Sequence, residues 1–137
     1  MEKYGEHTRQ ELFQTARKAC ERAYAPYSGF KVGAALLGES GKVYTGVNVE
    51  NASYGAAICA ERTAFVKAIS EGEKRFAAIA VASREEEAVP CGICRQFMYE
   101  FAPDMDVITC EKGGTLKVRK LKELLPEGFS LKKEPRP

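Results

Sequence analysis

The run Phe76-Ala77-Ala78-Ile79-Ala80-Val81-Ala82 limits the possible folds of this chain most strongly. On a sheet with one wet face, polar and apolar residues alternate. A nearly continuous apolar run instead suits a central strand covered on both faces. The remaining elements must supply those two covers.

Thr8-Arg9-Gln10-Glu11 reads as a capping box, a hydroxyl and a carboxylate satisfying free N–H groups at a helix start. Leu12, Phe13, Ala16, Cys20 and Ala23 recur at helical spacing, which predicts an amphipathic helix to about Tyr24. Cys20 lies on that stripe and reads as a small buried hydrophobe. His7, the only histidine, is expected to be exposed and functionally silent, which excludes histidine-based triads. Phe30–Leu37 and Lys42–Val49 are β-rich runs around the polar loop Gly38-Glu39-Ser40-Gly41, the pattern of a hairpin. Gly33 and the alanines beside it indicate that something packs closely on the first of these strands. Further helices are expected from Cys59 to Glu71, from Cys91 or Gly92 to about Phe101, and from Arg119 to Leu125. Strands are expected at Asp106–Thr109 and Leu116–Val118, a solvated loop at residues 83–87, and a frayed tail from Leu131 to Pro137. This order implies one domain over residues 1–137, a three-layer α/β/α fold around a mixed five-stranded sheet.

With 137 residues there is enough chain for a substantial core. A formal net charge of +2 demands neither nucleic acid nor an anionic membrane as partner. The polar start of the chain and the lack of any long apolar segment speak against a secretory signal or a membrane span. Five cysteines, an odd count at spacings unlike a secreted disulfide framework, point to a reducing cytoplasm. There, clustered thiols more often bind metal or do redox work.

Cys59, Cys91 and Cys94 are the candidate ligands of one Zn2+ per chain, with a fourth position left open as in catalytic zinc sites. Cys91 and Cys94 are three apart at a helix start and face the same way. Helix N-termini also favour thiolates. In a regular helix, residues two apart point about 200° away from each other. Cys59 and Glu61 can therefore converge only if the helix begins within a residue or two of Cys59. Glu61 is the candidate general acid–base group. Three thiolates around a divalent ion leave a net charge of −1, which opposes deprotonating a water there. Arg62, three residues after Cys59, can reach a sulfur and draw off charge. Arg95, beside Cys94, could do the same or form a surface ion pair. Asn48, Glu50 and Asn51 lie at a strand end just upstream, where side chains often hold substrate.

Cys59-Ala60-Glu61 followed by Pro90-Cys91-Gly92-Ile93-Cys94 resembles the signature of the zinc deaminases that act on nucleobases. The stretches 48–54, 59–64 and 91–96 are similar to the cytidine deaminases, in their small, three-cysteine, homotetrameric form. The resemblance extends from the first helix to Phe129. It implies a cytidine deaminase-like fold and zinc-dependent hydrolytic deamination of cytidine and deoxycytidine to uridine and deoxyuridine in pyrimidine salvage. Glu61 would move protons to the ring nitrogen and the leaving amine. It further implies that Asn48 and Glu50 bind the ribose hydroxyls, that Phe30 packs on the base, and that Ala60 belongs to the substrate site. Tyr54 and Phe129 would reach into a neighbouring subunit's site.

Three rival readings stand beside this one. Cys91-Gly92-Ile93-Cys94 has the spacing of a dithiol redox protein, but that reading leaves Cys59 and Glu61 unexplained. A structural zinc module would need Cys20 or Cys110 as fourth ligand. Lys112, Lys117, Arg119, Lys120 and Lys122 could mark a polynucleotide substrate, although a charged edge strand and a solvated helix account for them more simply. A carboxylate beside the sugar repels phosphate and favours a free nucleoside. Within the same chemistry, a nucleoside antibiotic is the alternative substrate.

Overall fold

The computed structural model describes residues 3–4, 7–84 and 87–131. Glu85 and Glu86 of the expected loop and residues 132–137 of the expected tail lie outside the described residues. In chain order the elements are β1 (Lys3–Tyr4), β2 (His7–Thr8), α1 (Arg9–Ala19), β3 (Val32–Gly38), β4 (Val43–Val47), α2 (Ala60–Ser70), β5 (Phe76–Ser83), α3 (Gly92–Tyr99), β6 (Asp106–Cys110), β7 (Leu116–Lys120) and α4 (Leu121–Leu124). The main sheet has the order β4-β3-β5-β6-β7, which places the apolar run of β5 at its centre. Residues of β5 alternate between two cores. Ile79 and Val81 pack with α2, α3 and α4, whereas Ala78, Ala80 and Ala82 pack with α1. The three-layer arrangement follows from that double burial.

Strand direction decides where a site can form. β3 is antiparallel to both β4 and β5, while β5 and β6 are parallel and β7 is antiparallel to β6. Hence β4, β5 and β6 point the same way. A parallel pair needs a crossover, here α3 between β5 and β6. α2 leaves the end of β4 and α3 leaves the end of β5, on the same face of the sheet. Both helix N-termini therefore arrive at one rim, the carboxyl ends of the strands, where α/β sheets hold their ligands. The chain entering β3 and the segment leaving β4 reach the same rim.

Two glycines let the helices approach. A Cβ on Gly33 would lie 2.1 Å from the Ala16 carbonyl oxygen, under α1. One on Gly46 would lie 2.4 Å from both the Ala60 oxygen and the Ala64 nitrogen, under α2. On the α2 side, Phe65 meets Phe76, Phe97 and Phe101 at centroid distances of 4.7, 6.3 and 5.9 Å. Each such pair contributes about 0.5–1.5 kcal/mol beyond simple burial. This cluster locks α2 against α3 and so aligns their N-termini.

The capping box is present, with Thr8 accepting from the Glu11 amide and Glu11 accepting from the Thr8 amide. The expected helix ends sooner, at Ala19, and a 3-10 turn over Cys20–Arg22 tightens the exit before Pro26. Cys20 is fully buried, as its stripe position requires. His7 differs from its expectation of exposure. It is half-buried in β2, and its Nε2 lies 3.1 Å from the Gly41 carbonyl oxygen. A carbonyl only accepts, so that nitrogen carries the proton. The β1–β2 ribbon was not foreseeable, since two-residue strands carry no periodicity. Tyr4, on β1, donates to Asp106 Oδ2 at 2.5 Å, and burial first of all pushes its hydroxyl up to about 12. Lys120 pairs with the same Asp106 at 2.8 Å, Lys122 with Asp104 at 2.9 Å and Lys117 with Glu111 at 3.5 Å. β7 is an edge strand that carries Lys117 and Lys120, and Lys122 follows on the exposed side of α4, so the edge-strand and solvated-helix reading accounts for them.

Candidate metal centre

Cys59 and Cys91 are the N-cap residues of α2 and α3, each with extended backbone, φ −80° and −74°. An N-cap residue lies over the first helical turn, on the same side as the residue three positions on. In α3 that position is Cys94, and in α2 it is Arg62. The two helix starts thus contribute two thiols from one side, and a thiol plus a guanidinium from the other. The three sulfurs lie within 4.8 Å of one another, with Cys59 and Cys91 at 3.8 Å. Zinc binds thiolate at about 2.3 Å, and a tetrahedral arrangement then separates sulfurs by about 3.8 Å. The donor set and its spacing fit zinc. This is the one such cluster among the described residues. Cys20 and Cys110 stand apart from it, Cys110 donating to the Glu111 carbonyl at 3.5 Å. The structural-module reading therefore lacks its fourth cysteine.

Charge in the cluster is unevenly shared. Cys59 is lowered to about 5, first by a hydrogen bond from Cys94 and then by Arg62 and Cys91, against the opposing effect of burial. Cys94 is pushed up, first by the hydrogen bond to Cys59, then by its own burial and the charge of Glu61. Three adjacent thiols cannot all ionise without a cation between them. A divalent ion supplies that charge. Arg62 Nη2 lies 3.8 Å from Cys59 Sγ, within the reach expected of it, and its buried Nε has no hydrogen-bond partner. Arg95 does neither thing expected of it. Its Nε donates to the Pro90 carbonyl at 2.8 Å and its Nη1 to the Leu124 carbonyl at 2.9 Å, so it braces the entry to α3 against α4.

Glu61, the second residue of α2, is only 3% exposed, and burial first of all pushes its carboxyl up to about 7. The Cys59 charge adds to that shift. Helix geometry is respected because Cys59 precedes the helix. Ala60 is completely buried, with its carbonyl oxygen against Gly46.

The other candidates are distributed along the rim. Asn48 is half-buried and engaged on both sides of its amide. Oδ1 accepts from the Val32 amide and Nδ2 donates to the Phe30 carbonyl, both at 2.8 Å. Glu50 accepts from the Tyr27 amide at 2.9 Å, the Ser28 amide at 3.2 Å and the Ser28 hydroxyl at 2.5 Å. The Ser28 hydroxyl, followed by the two amides, holds the Glu50 carboxyl below its ordinary range. Phe30, Tyr54 and Phe129 are exposed, Tyr54 at 84% and Phe129 at 63%. Sequence reasoning missed what holds Phe129. Gln96 Nε2 donates to the Phe129 carbonyl at 3.0 Å, and its Oε1 accepts from the Phe129 amide at 3.5 Å. Position on α3 directly after Cys94-Arg95 was the available signal.

The comparisons with known proteins agree with this geometry. The family model described as the cytidine and deoxycytidylate deaminase zinc-binding region matches residues 6–110. The chain is 49% identical over 124 residues to cytidine deaminase of Halalkalibacterium halodurans, covering 89% of this chain and 94% of that one. It is 46% identical over 123 residues to the probable cytidine deaminase of Dictyostelium discoideum, covering 88% and 83%. The solved structure of cytidine deaminase from Burkholderia pseudomallei superposes with a TM-score of 0.83 at 48% identity, covering 89% of this chain and 99% of that one. Three sulfurs at zinc spacing, set by two helix starts and matched by the family's zinc-binding region, place this chain in the cytidine and deoxycytidylate deaminase family.

Proposed function

We propose that the chain hydrolyses cytidine and deoxycytidine to uridine and deoxyuridine with release of ammonia. The convergence of three thiols and one buried carboxylate at two helix starts carries this reading. Cys59, Cys91 and Cys94 would hold one zinc ion. When bound, zinc supplies a Lewis acid that makes a water acidic near neutral pH. Glu61 takes the proton that water gives up and delivers protons to the ring nitrogen and to the amine leaving carbon 4. Water contributes the new carbonyl oxygen, one of its hydrogens is accounted for on the ring nitrogen and the other in the departing ammonia, so the reaction balances without an oxidant.

Arg62 tunes that centre by withdrawing charge from Cys59. Arg62→Gln is expected to lower kcat about 10- to 100-fold while zinc remains bound. Unchanged turnover at full zinc occupancy would remove this role. Asn48 and Glu50 would meet the sugar hydroxyls and Phe30 the base, with Ala60 supporting the wall from behind. The exposure of Tyr54 and Phe129 supports a homotetramer in which each covers a neighbour's site. One deaminase domain over residues 1–137 accounts for the whole arrangement. Free thiols favour the reducing cytoplasm, and no helix among the described residues is long and apolar enough to cross a membrane.

The deciding experiment follows the ultraviolet absorbance of cytidine. The zinc-loaded protein is expected to convert it to uridine, and chelation of zinc to stop the conversion. Stable cytidine absorbance with the zinc-loaded protein would overturn the reading.

A further inference from the structure

Ser28, in the segment that leads into β3, sits between two groups that the functional reading assigns to substrate. Its hydroxyl donates to Glu50 Oε2 at 2.5 Å and accepts from the Phe30 amide at 3.0 Å. Gly29 between them has φ +72°, a left-handed conformation that suits glycine and turns the chain back. The resulting serine turn brings a backbone N–H to the hydroxyl two residues earlier. Asn48 holds Phe30 from the other side through its carbonyl. Both backbone polar groups of Phe30 are therefore tied to the segment that carries Asn48 and Glu50.

Counting acceptor sites sharpens the point. A carboxylate oxygen offers two lone pairs. The Tyr27 and Ser28 amides take both on Glu50 Oε1, and the Ser28 hydroxyl takes one on Oε2. One acceptor site of Glu50 remains, in a direction the other three bonds determine. Without the hydroxyl, Oε2 has two open sites and the Phe30 amide loses its acceptor. Water would fill these places, and the carboxylate would no longer be oriented.

We propose that Ser28 is a positioning residue that couples the Glu50 carboxylate to Phe30, so that the sugar and the base are held in one fixed relation. It acts through the two residues rather than on the reacting atoms. This rests on the reading in which Glu50 and Phe30 contact the nucleoside. Ser28 lies in the loop before β3, whereas the thiols and Glu61 belong to α2, α3 and their N-caps. Loss of the hydroxyl should therefore weaken binding and spare the chemistry.

The test compares Ser28→Ala and Ser28→Thr with wild type, all zinc-loaded, using cytidine. Ser28→Ala is expected to raise KM about tenfold, the scale of a hydrogen bond to a charged group, with kcat within about twofold. Ser28→Thr keeps the hydroxyl, and its extra methyl points from an exposed position, so KM should return to within about threefold of wild type. Amide hydrogen exchange reads the same coupling without substrate. In Ser28→Ala the Phe30 amide should exchange about tenfold faster, while Ala35 in β3 is unchanged. An unchanged KM in Ser28→Ala, or an unchanged Phe30 exchange rate, overturns the proposal. A fall in kcat and zinc content without a rise in KM also overturns it. If wild type leaves cytidine intact, the functional reading fails. The exchange rate then decides whether Ser28 holds Phe30.

Discussion

Glu61→Gln is expected to lower kcat for cytidine by about 100- to 10,000-fold, the range over which positioned acid–base groups act. Glutamine keeps the length and most of the shape of the side chain but can neither take nor give the proton. Zinc content should stay near one per chain, because the three sulfurs that hold the ion are untouched. The fold should also survive. A carboxyl that is 3% exposed is a cost to the folded state whenever it is charged, and a neutral amide reduces that cost. The measurement is steady-state turnover beside metal analysis and thermal unfolding of the same sample. A variant with kcat within tenfold of wild type would show that Glu61 is not the proton carrier. Lost zinc would show instead that the residue supports the metal site.

Gly46→Ala is expected to destabilise the protein by about 3 kcal/mol or more, at the upper end of overpacking. The new methyl would meet backbone atoms of α2, the Ala60 oxygen and the Ala64 nitrogen, each at 2.4 Å. A flexible side chain could swing aside, but a helix backbone cannot. α2 would have to lift from the sheet, opening the core around Ala64 and Phe65, both fully buried. The shift would carry Cys59 and Glu61 with it, so zinc affinity should fall in the fraction that remains folded. Gly55→Ala is the matched control, since nothing lies within 4 Å of its Cβ position, and it should change stability by no more than about 0.5 kcal/mol. Denaturant midpoints at constant slope would measure both. Equal stability of Gly46→Ala and wild type would mean that α2 does not rest on β4 as described.

The same pair of helices shows what can be read from a sequence and what cannot. Cys91 and Cys94 are related by one helical turn, and Cys59 and Glu61 by a helix start. Such local relations follow from backbone geometry, which is the same in every protein. The double burial of β5 was legible for a similar reason, because an apolar run reports its surroundings without naming them. The contact of Arg62 with Cys59 was reachable from spacing and charge. Arg95 was not, because its partners, Pro90 and Leu124, include a carbonyl 29 residues away.

The amino-acid sequence by itself picked out the three cysteines that cluster, the carboxylate beside Cys59, the capped start of the first helix and the central strand. The pair Cys91 and Cys94, the helix start and the strand rest on interactions within a few residues or on simple periodicity, and Cys59 joined them through the motif that the chain shares with a known family. Only the tertiary structure decided that Asn48 and Glu50 hold the loop of Tyr27 to Val32, that Gln96 holds Phe129, and that Asp106 gathers Tyr4 and Lys120. Those bonds join residues from 14 to 102 positions apart. Such pairings are set by how the strands and helices close around the core. The sulfurs of Cys59 and Cys91 stand between the two cases. Their identity was written in the sequence, but their 3.8 Å separation depends on two parallel-running strands delivering two helices to one rim.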